Sequence, residues 1–271
     1  MKLVLVFLFS SIIIYASEEQ NVQLNLDLVW IMVATALVFF MQAGFTFVET
    51  GVVRAKNSIN VAMKNVIDMI FSITTYFFVG FGVMFGATYG GLFGTSGFLL
   101  DGFTSNFDYT FFIFQAVFAG TAVTIVSGAV AERMQFKAYL VIAVCVTAII
   151  YPVVGHWGWG GAILDGETGW LAEKGFIDFA GSTIVHSVGA WVGLAGAIVL
   201  GARVDRFDKN GKPNEMQPFS QTYIALGVFI LWFGWFGFNG GSTIAGDGSF
   251  AKVIVVTAIS ASIAGIVSLQ Y

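Results

Sequence analysis

Long apolar runs broken by short polar turns set the rhythm of this chain. Beyond a leader, the runs fall at about 28–49, 64–89, 109–130, 138–155, 178–201, 221–242 and 252–271. Each is close to the ~20 residues an α-helix needs to cross a bilayer core. The pattern predicts an all-α membrane protein with these seven segments as spans. A shorter run, Leu3 to Tyr15 in "MKLVLVFLFSSIIIYASEEQ", precedes them and ends in small residues before an acidic pair. It reads as a secretory signal over residues 1–16, with a retained anchor as the alternative, and leaves 17–271 as the membrane domain.

Charge orients the spans. The connections after the first, third and fifth runs carry Arg54, Lys56, Lys64, Arg133, Lys137, Arg203, Arg206, Lys209 and Lys212. The opposite side holds Lys174 and Lys252 among Asp101, Asp108, Asp165, Glu167, Glu173 and Asp247. The positive-inside rule then puts the first side in the cytoplasm and the mature N-terminus outside, as a removed signal also would. The longest polar linker, "RVDRFDKNGKPNEMQPFSQ", separates spans one to five from six and seven. The last run stops at Tyr271 without flanking charge, so the chain reads as C-terminally incomplete.

Composition agrees with a membrane protein. Of 271 residues 57% are hydrophobic and 10% charged, against roughly 25% charged in soluble domains. Net charge is −4 with no basic block, which gives no reason to expect a nucleic-acid partner. The single Cys145 excludes a disulfide framework within the chain. No G-x-S-x-G or H-E-x-x-H motif occurs, so an enzyme is not expected, and nothing calls for a cofactor or metal.

The few ionisable groups within apolar runs are the candidate chemistry, because charge in hydrocarbon is costly. Asp178 opens the fifth run, where a carboxylate can cap a helix N-terminus. His186 is eight residues on, roughly 12 Å deeper along a helix. Ser182, His186, Gly189, Gly193 and Gly196 form a small-residue stripe, which predicts an imidazole turned into the bundle. Glu49 is expected to pair with Arg54 or Lys56, and Asp68 with Lys64. His156 is expected to anchor a turn, and Glu132 and Arg133 to lie at the cytoplasmic face. The glycine-crowded aromatics of "GHWGWGG" and "WFGWFGFNGGS" suit either an interfacial belt or a cation held on a ring face.

Five ordered segments, "MQAGFTFVETGVVRAKN", "SGAVAERMQF", "YPVVGHWGWGG", "DFAGSTIVH" and "WFGWFGFNGGS", resemble the ammonium transporter (Amt/MEP/Rh) family on its Amt branch, over nearly the whole chain after the leader. The resemblance implies an ammonium-transporter-like helical bundle: the first five-helix repeat plus the start of an inverted second repeat, assembled as a homotrimer. It implies an outer ammonium site at Trp159 and Ser242, a gate of stacked rings at Phe118 and Phe238, an acidic residue needed for transport at Asp178, and a pore histidine at His186. The family's second pore histidine has no counterpart before Tyr271. The partners implied are ammonium, ammonia or methylammonium, the lipid bilayer of the plasma or inner membrane, and a cytoplasmic regulatory protein.

The implied mechanism has a physical basis. A charge at the bilayer centre costs about 3 kcal/mol on insertion scales and over ~10 in simulation. Cation–π contacts of about 2 kcal/mol can hold ammonium at the mouth but cannot carry it through. Desolvation favours the neutral amine, so deprotonation at the gate and passage of ammonia follow. An ammonium sensor with a soluble output domain and a truncated, non-conducting remnant are the alternatives.

Overall fold

All but one of the predicted spans become helices long enough to cross a bilayer. The computed structural model describes residues 2–161 and 168–269, with side chains from residue 20 onward. The side chains of the leader, Asp165 and Glu167 of the charge count, and Tyr271 lie outside the described residues. The first helix, α1, is Lys2–Val52, of which Gln20–Val52 has span length and hydropathy. It is followed by α2 (Ala55–Phe85), α3 (Asn106–Val130) and α4 (Phe136–Trp159). Then come α5 (His186–Leu200), α6 (Gln221–Gly241) and α7 (Ser249–Ser268).

The fifth predicted span is corrected. Residues 178–185 form bends and turns, and the helix starts only at His186. Its 15 residues rise roughly 22 Å, short of the bilayer core. Apolar composition made the stretch look continuous, but composition cannot tell a helical turn from a buried loop whose amides are bonded elsewhere. The expectation that His186 sits two helical turns below Asp178 falls with it.

Local signals explain where helices begin. A capping box starts α3: Asp108 N donates to Ser105 Oγ at 3.1 Å, and Ser105 N donates to Asp108 Oδ2 at 2.9 Å. Ser220 caps α6 by accepting from Tyr223 N at 3.2 Å. Two helices carry one π turn each, Tyr76–Gly80 in α2 and Val146–Ile150 in α4. A small antiparallel pair, Thr88–Tyr89 with Phe93–Gly94, follows α2.

Helix α3 is the hub, packed against α1, α2 and α5, with most of its residues buried. The most extensive crossing is α1 with α6, where a Cβ on Gly227 would lie 2.6 Å from Gly44 O. Only glycine permits backbones this close. The same pair is fastened at both ends. Phe219 N and Ser220 N donate to Val53 O and Gly51 O at 2.8 and 3.1 Å. At the other end Gly246 N donates to Asp27 Oδ1 at 2.7 Å.

Intramembrane charges find partners other than those predicted. Glu49 accepts from Asn65 Nδ2 at 2.9 Å and Ser127 Oγ at 2.8 Å, and pairs with neither Arg54 nor Lys56. Arg54 instead meets Glu132 at 2.8 Å. Asp68, fully buried, accepts from Thr124 Oγ1 at 3.4 Å, while Lys64 donates to Met134 O at 3.1 Å and lies over the Tyr139 ring. Side-chain spacing along one helix misled here, because these bonds run between helices. His156 has a structural role, as expected: its Nδ1 lies 2.8 Å from Met84 O and its Nε2 2.7 Å from Thr88 Oγ1.

Candidate functional site

The turn before α5 is built on one carboxylate. Asp178 Oδ1 accepts from Gly181 N and Ser182 N at 2.8 and 3.0 Å, and Oδ2 from Thr183 N and Ile184 N at 2.9 and 2.7 Å. Four successive amides are satisfied by one side chain, so the backbone here needs no helical pairing to bury them. The backbone carbonyl of Asp178 also accepts from Trp159 Nε1 at 2.7 Å. Asp178 is therefore a cap, but of an irregular turn and not of a helix.

That bond holds the Trp159 ring in the wall of a cavity of about 290 Å³. Phe118 and Ser242 share this wall, so three of the six residues singled out from the sequence line one space. Phe114 and Phe179 add apolar surface. Ser242 Oγ donates to Phe238 O at 2.9 Å, leaving its oxygen able to accept a bond from a ligand.

From the cavity a file of rings leads inward. Phe118 stacks on Phe238 with centroids 4.1 Å apart and planes at 8°, and both are buried. The imidazole of His186 then meets Phe238 edge-on at 5.5 Å. Its Nδ1 lies 3.1 Å from Gly181 O. The stacked pair leaves no room for a hydrated ion, so the cavity is closed by a thin apolar partition.

The small-residue stripe divides in two. Gly189 and Gly193 are buried against α3, where added Cβ atoms would lie 2.6 Å from Ala122 O and 2.8 Å from Ala129 Cβ. Ser182 and His186 are exposed among the described residues, while the imidazole faces the buried Phe238 ring. Periodicity identified the contact face but not its limits.

One residue of the cavity escaped sequence reasoning. Gln115 is buried, lines the cavity one turn before Phe118, and its Oε1 has no hydrogen-bond partner among the described residues. A buried carbonyl oxygen without a donor is uncommon. The only sequence signal was an amide within an otherwise apolar run, in "FQAVF".

Comparison with known proteins gives the same reading of the architecture. The sequence model described as Ammonium Transporter Family matches residues 29–271. Ammonium transporter Amt2 of Archaeoglobus fulgidus is 41% identical over 263 residues, covering 92% of this chain and 54% of that protein. A solved structure described as a sensor Amt protein superposes with a TM-score of 0.89 at 44% identity, covering 93% of this chain and 63% of the other. The structure of Candida albicans Mep2 superposes with a TM-score of 0.72 at 28% identity, covering 82% and 49%. The chain thus spans roughly half to three-fifths of the length of these relatives.

Proposed function

The chain belongs to the ammonium transporter family, and from that premise we propose that it serves transmembrane movement of ammonium as ammonia. The observation that carries the proposal is the order of groups: a cavity bearing Trp159 and Ser242, the stacked pair Phe118 and Phe238, then His186. Ammonium is recruited on the Trp159 and Phe118 faces, with the Ser242 oxygen accepting one N–H. Gln115 Oε1 is a further acceptor in the same wall. The partition excludes water and disfavours the ion, so the proton leaves before ammonia crosses. His186 offers ammonia a neutral ring that can donate or accept a hydrogen bond. Asp178 acts at one remove, fixing the turn that positions both Trp159 and His186.

The rest of the reading follows the family. The signal over 1–16 is removed, the mature N-terminus lies outside the plasma or inner membrane, and three copies assemble, each with its own path. A cytoplasmic regulatory protein is the expected partner, methylammonium is an alternative substrate, and no enzymatic step is involved. Similarity to a sensor Amt protein supports a second reading, ammonium sensing by the same cavity.

The test uses the chain together with whatever its gene encodes beyond Tyr271. In proteoliposomes, an ammonium pulse should change internal pH saturably, and Phe118→Ala with Phe238→Ala should remove that behaviour. Binding without flux, together with an encoded signalling domain, would favour the sensor. Flux indistinguishable from empty liposomes and no binding would reject both.

A further inference from the structure

Away from the ring file, on the side proposed to face the cytoplasm, lies a recess of about 610 Å³ between the ends of α1 and α6 and the loop after α5. Arg133, Arg203 and Arg206 line it, over a floor that includes Phe207, Met216 and Ile224, and no acidic side chain joins the lining. Arginine concentrated in this way without a carboxylate is unusual, because like charges repel unless an anion intervenes.

The nearby acids are engaged elsewhere. Glu132 holds Arg54, and Asp205 lies 3.7 Å from the same guanidinium. Asp208 Oδ1 accepts from Asn210 N and Lys212 N at 2.8 Å each. Glu215 accepts from Gln217. The Arg203 side chain makes no hydrogen bond and no ion pair within 4 Å among the described residues, although its charge reaches the Glu132 carboxylate. Arg206 commits one nitrogen, to Asn214 O at 2.9 Å. Arg133 uses its terminal nitrogens on Gly201 O at 2.5 Å and on Ala129 O, so it fixes the wall and contributes charge.

The walls are tied to the helix ends through Phe219 N to Val53 O at 2.8 Å and the Arg133 bond to Gly201. The recess therefore exists before any ligand arrives. Guanidinium groups match phosphate oxygens in geometry and charge. The apolar floor suits the glycerol and upper acyl carbons of a lipid, which a free phosphate does not possess. Basic recesses between spans on a cytoplasmic face are suited to anionic lipid headgroups.

We propose that this recess is a binding site for the phosphate headgroup of an anionic phospholipid of the cytoplasmic leaflet, with Arg203 and Arg206 as its donors. The leaflet assignment rests on the orientation proposed above, whereas the binding chemistry does not.

The experiment is native mass spectrometry of the 271-residue chain in neutral detergent, titrated with phosphatidylglycerol, phosphatidylcholine or inorganic phosphate. Phosphatidylglycerol should bind in preference to phosphatidylcholine and stay bound in millimolar phosphate. Arg203→Gln or Arg206→Gln should each weaken it about fivefold, and the pair about 25-fold. Lys209→Gln with Lys212→Gln, at the exposed loop tip, should leave binding unchanged. The single variants keep the test open if the double variant loses its helical circular dichroism. Equal binding of both lipids, displacement by phosphate, or an equal loss in the lysine pair would overturn the site. Labelling of Lys209→Cys from outside intact cells would overturn the orientation alone, and absent ammonium flux would bear on function alone.

Discussion

The outer cavity and the buried polar cluster of α1, α2 and α3 lie in one helix bundle and differ in what their polar atoms face. Around the cavity, aromatic rings dominate and the few polar atoms are left partly unengaged: the Ser242 oxygen can still accept, and Gln115 Oε1 has no donor among the described residues. In the cluster, Glu49 is bonded to both Asn65 and Ser127, and Gln42 Nε2 donates to Thr124 and to Asn65 O. Asn65 Oδ1, Asp68 Oδ1 and Ser72 Oγ are unpartnered among the described residues, but they line neither the cavity nor the arginine recess. A polar group with spare bonding capacity can serve a ligand, whereas one already engaged serves the fold. Intramembrane charge therefore does not by itself mark the site in this molecule. Unmet bonding capacity beside a cavity is the better guide.

The largest effect should come from Asp178→Ala, which strips the acceptor from four amides and loosens the seat of Trp159. A cost of about 3 kcal/mol or more is expected after water re-solvates part of the turn. Methylammonium uptake should be abolished, with fast hydrogen exchange confined to 181–184. Asp178→Asn should restore part of that protection. Normal uptake in Asp178→Ala would detach the turn from the path.

Glu49→Ala should come next and show the opposite signature. Asn65 Nδ2 and Ser127 Oγ both lose their acceptor, at about 2–4 kcal/mol together. Melting in detergent should fall while the concentration dependence of uptake in the surviving protein is unchanged. A raised apparent KM would place the cluster on the substrate path.

Trp159→Leu should weaken recruitment by about 1–2 kcal/mol, the scale of one desolvated cation–π contact, seen as a higher apparent KM at near-normal stability. Gln115→Leu sharpens the contrast within one residue. Removing a buried, unpartnered carbonyl should leave melting unchanged or raise it, while ammonium affinity falls about fivefold, the value of one net hydrogen bond. Loss of stability would show that the amide is engaged in the membrane after all.

The smallest effect concerns pH. Burial raises the Glu132 pKa, but the Arg54 backbone amide, guanidinium bonds and charge, with a smaller contribution from the Arg203 charge, outweigh it and hold the carboxyl below its ordinary 4.5. A depressed folded-state pKa means that the pair stabilises fully above the ordinary value, and that this stability is lost as pH falls through the lower one. Melting should drop by a few degrees at most as pH falls from about 4.5, the scale of an ion pair near the surface. Arg54→Gln should flatten that acid limb.

The sequence disclosed the fold well where a run was both apolar and helical, and its family resemblance brought Trp159, Phe118 and Ser242 to one wall. It failed where hydrogen bonding crosses the chain. Glu49 and Ser127 are 78 residues apart, so no local spacing could have paired them. The turn at 178–185 was illegible because its amides bond to a side chain, which leaves the apolar pattern intact.

The π turns at Tyr76–Gly80 and Val146–Ile150 each hold one residue more than an α-helical turn. In evolutionary terms they are the places where helix length can change without a change of meaning. A one-residue deletion inside Val146–Ile150 would tighten the turn to α geometry and leave His156 and Trp159 aimed as before. The same deletion after Tyr151 would rotate everything downstream by about 100° and carry Trp159 out of the cavity wall. Single-residue gaps between relatives should therefore collect at these two turns and avoid the helical stretch that follows the second.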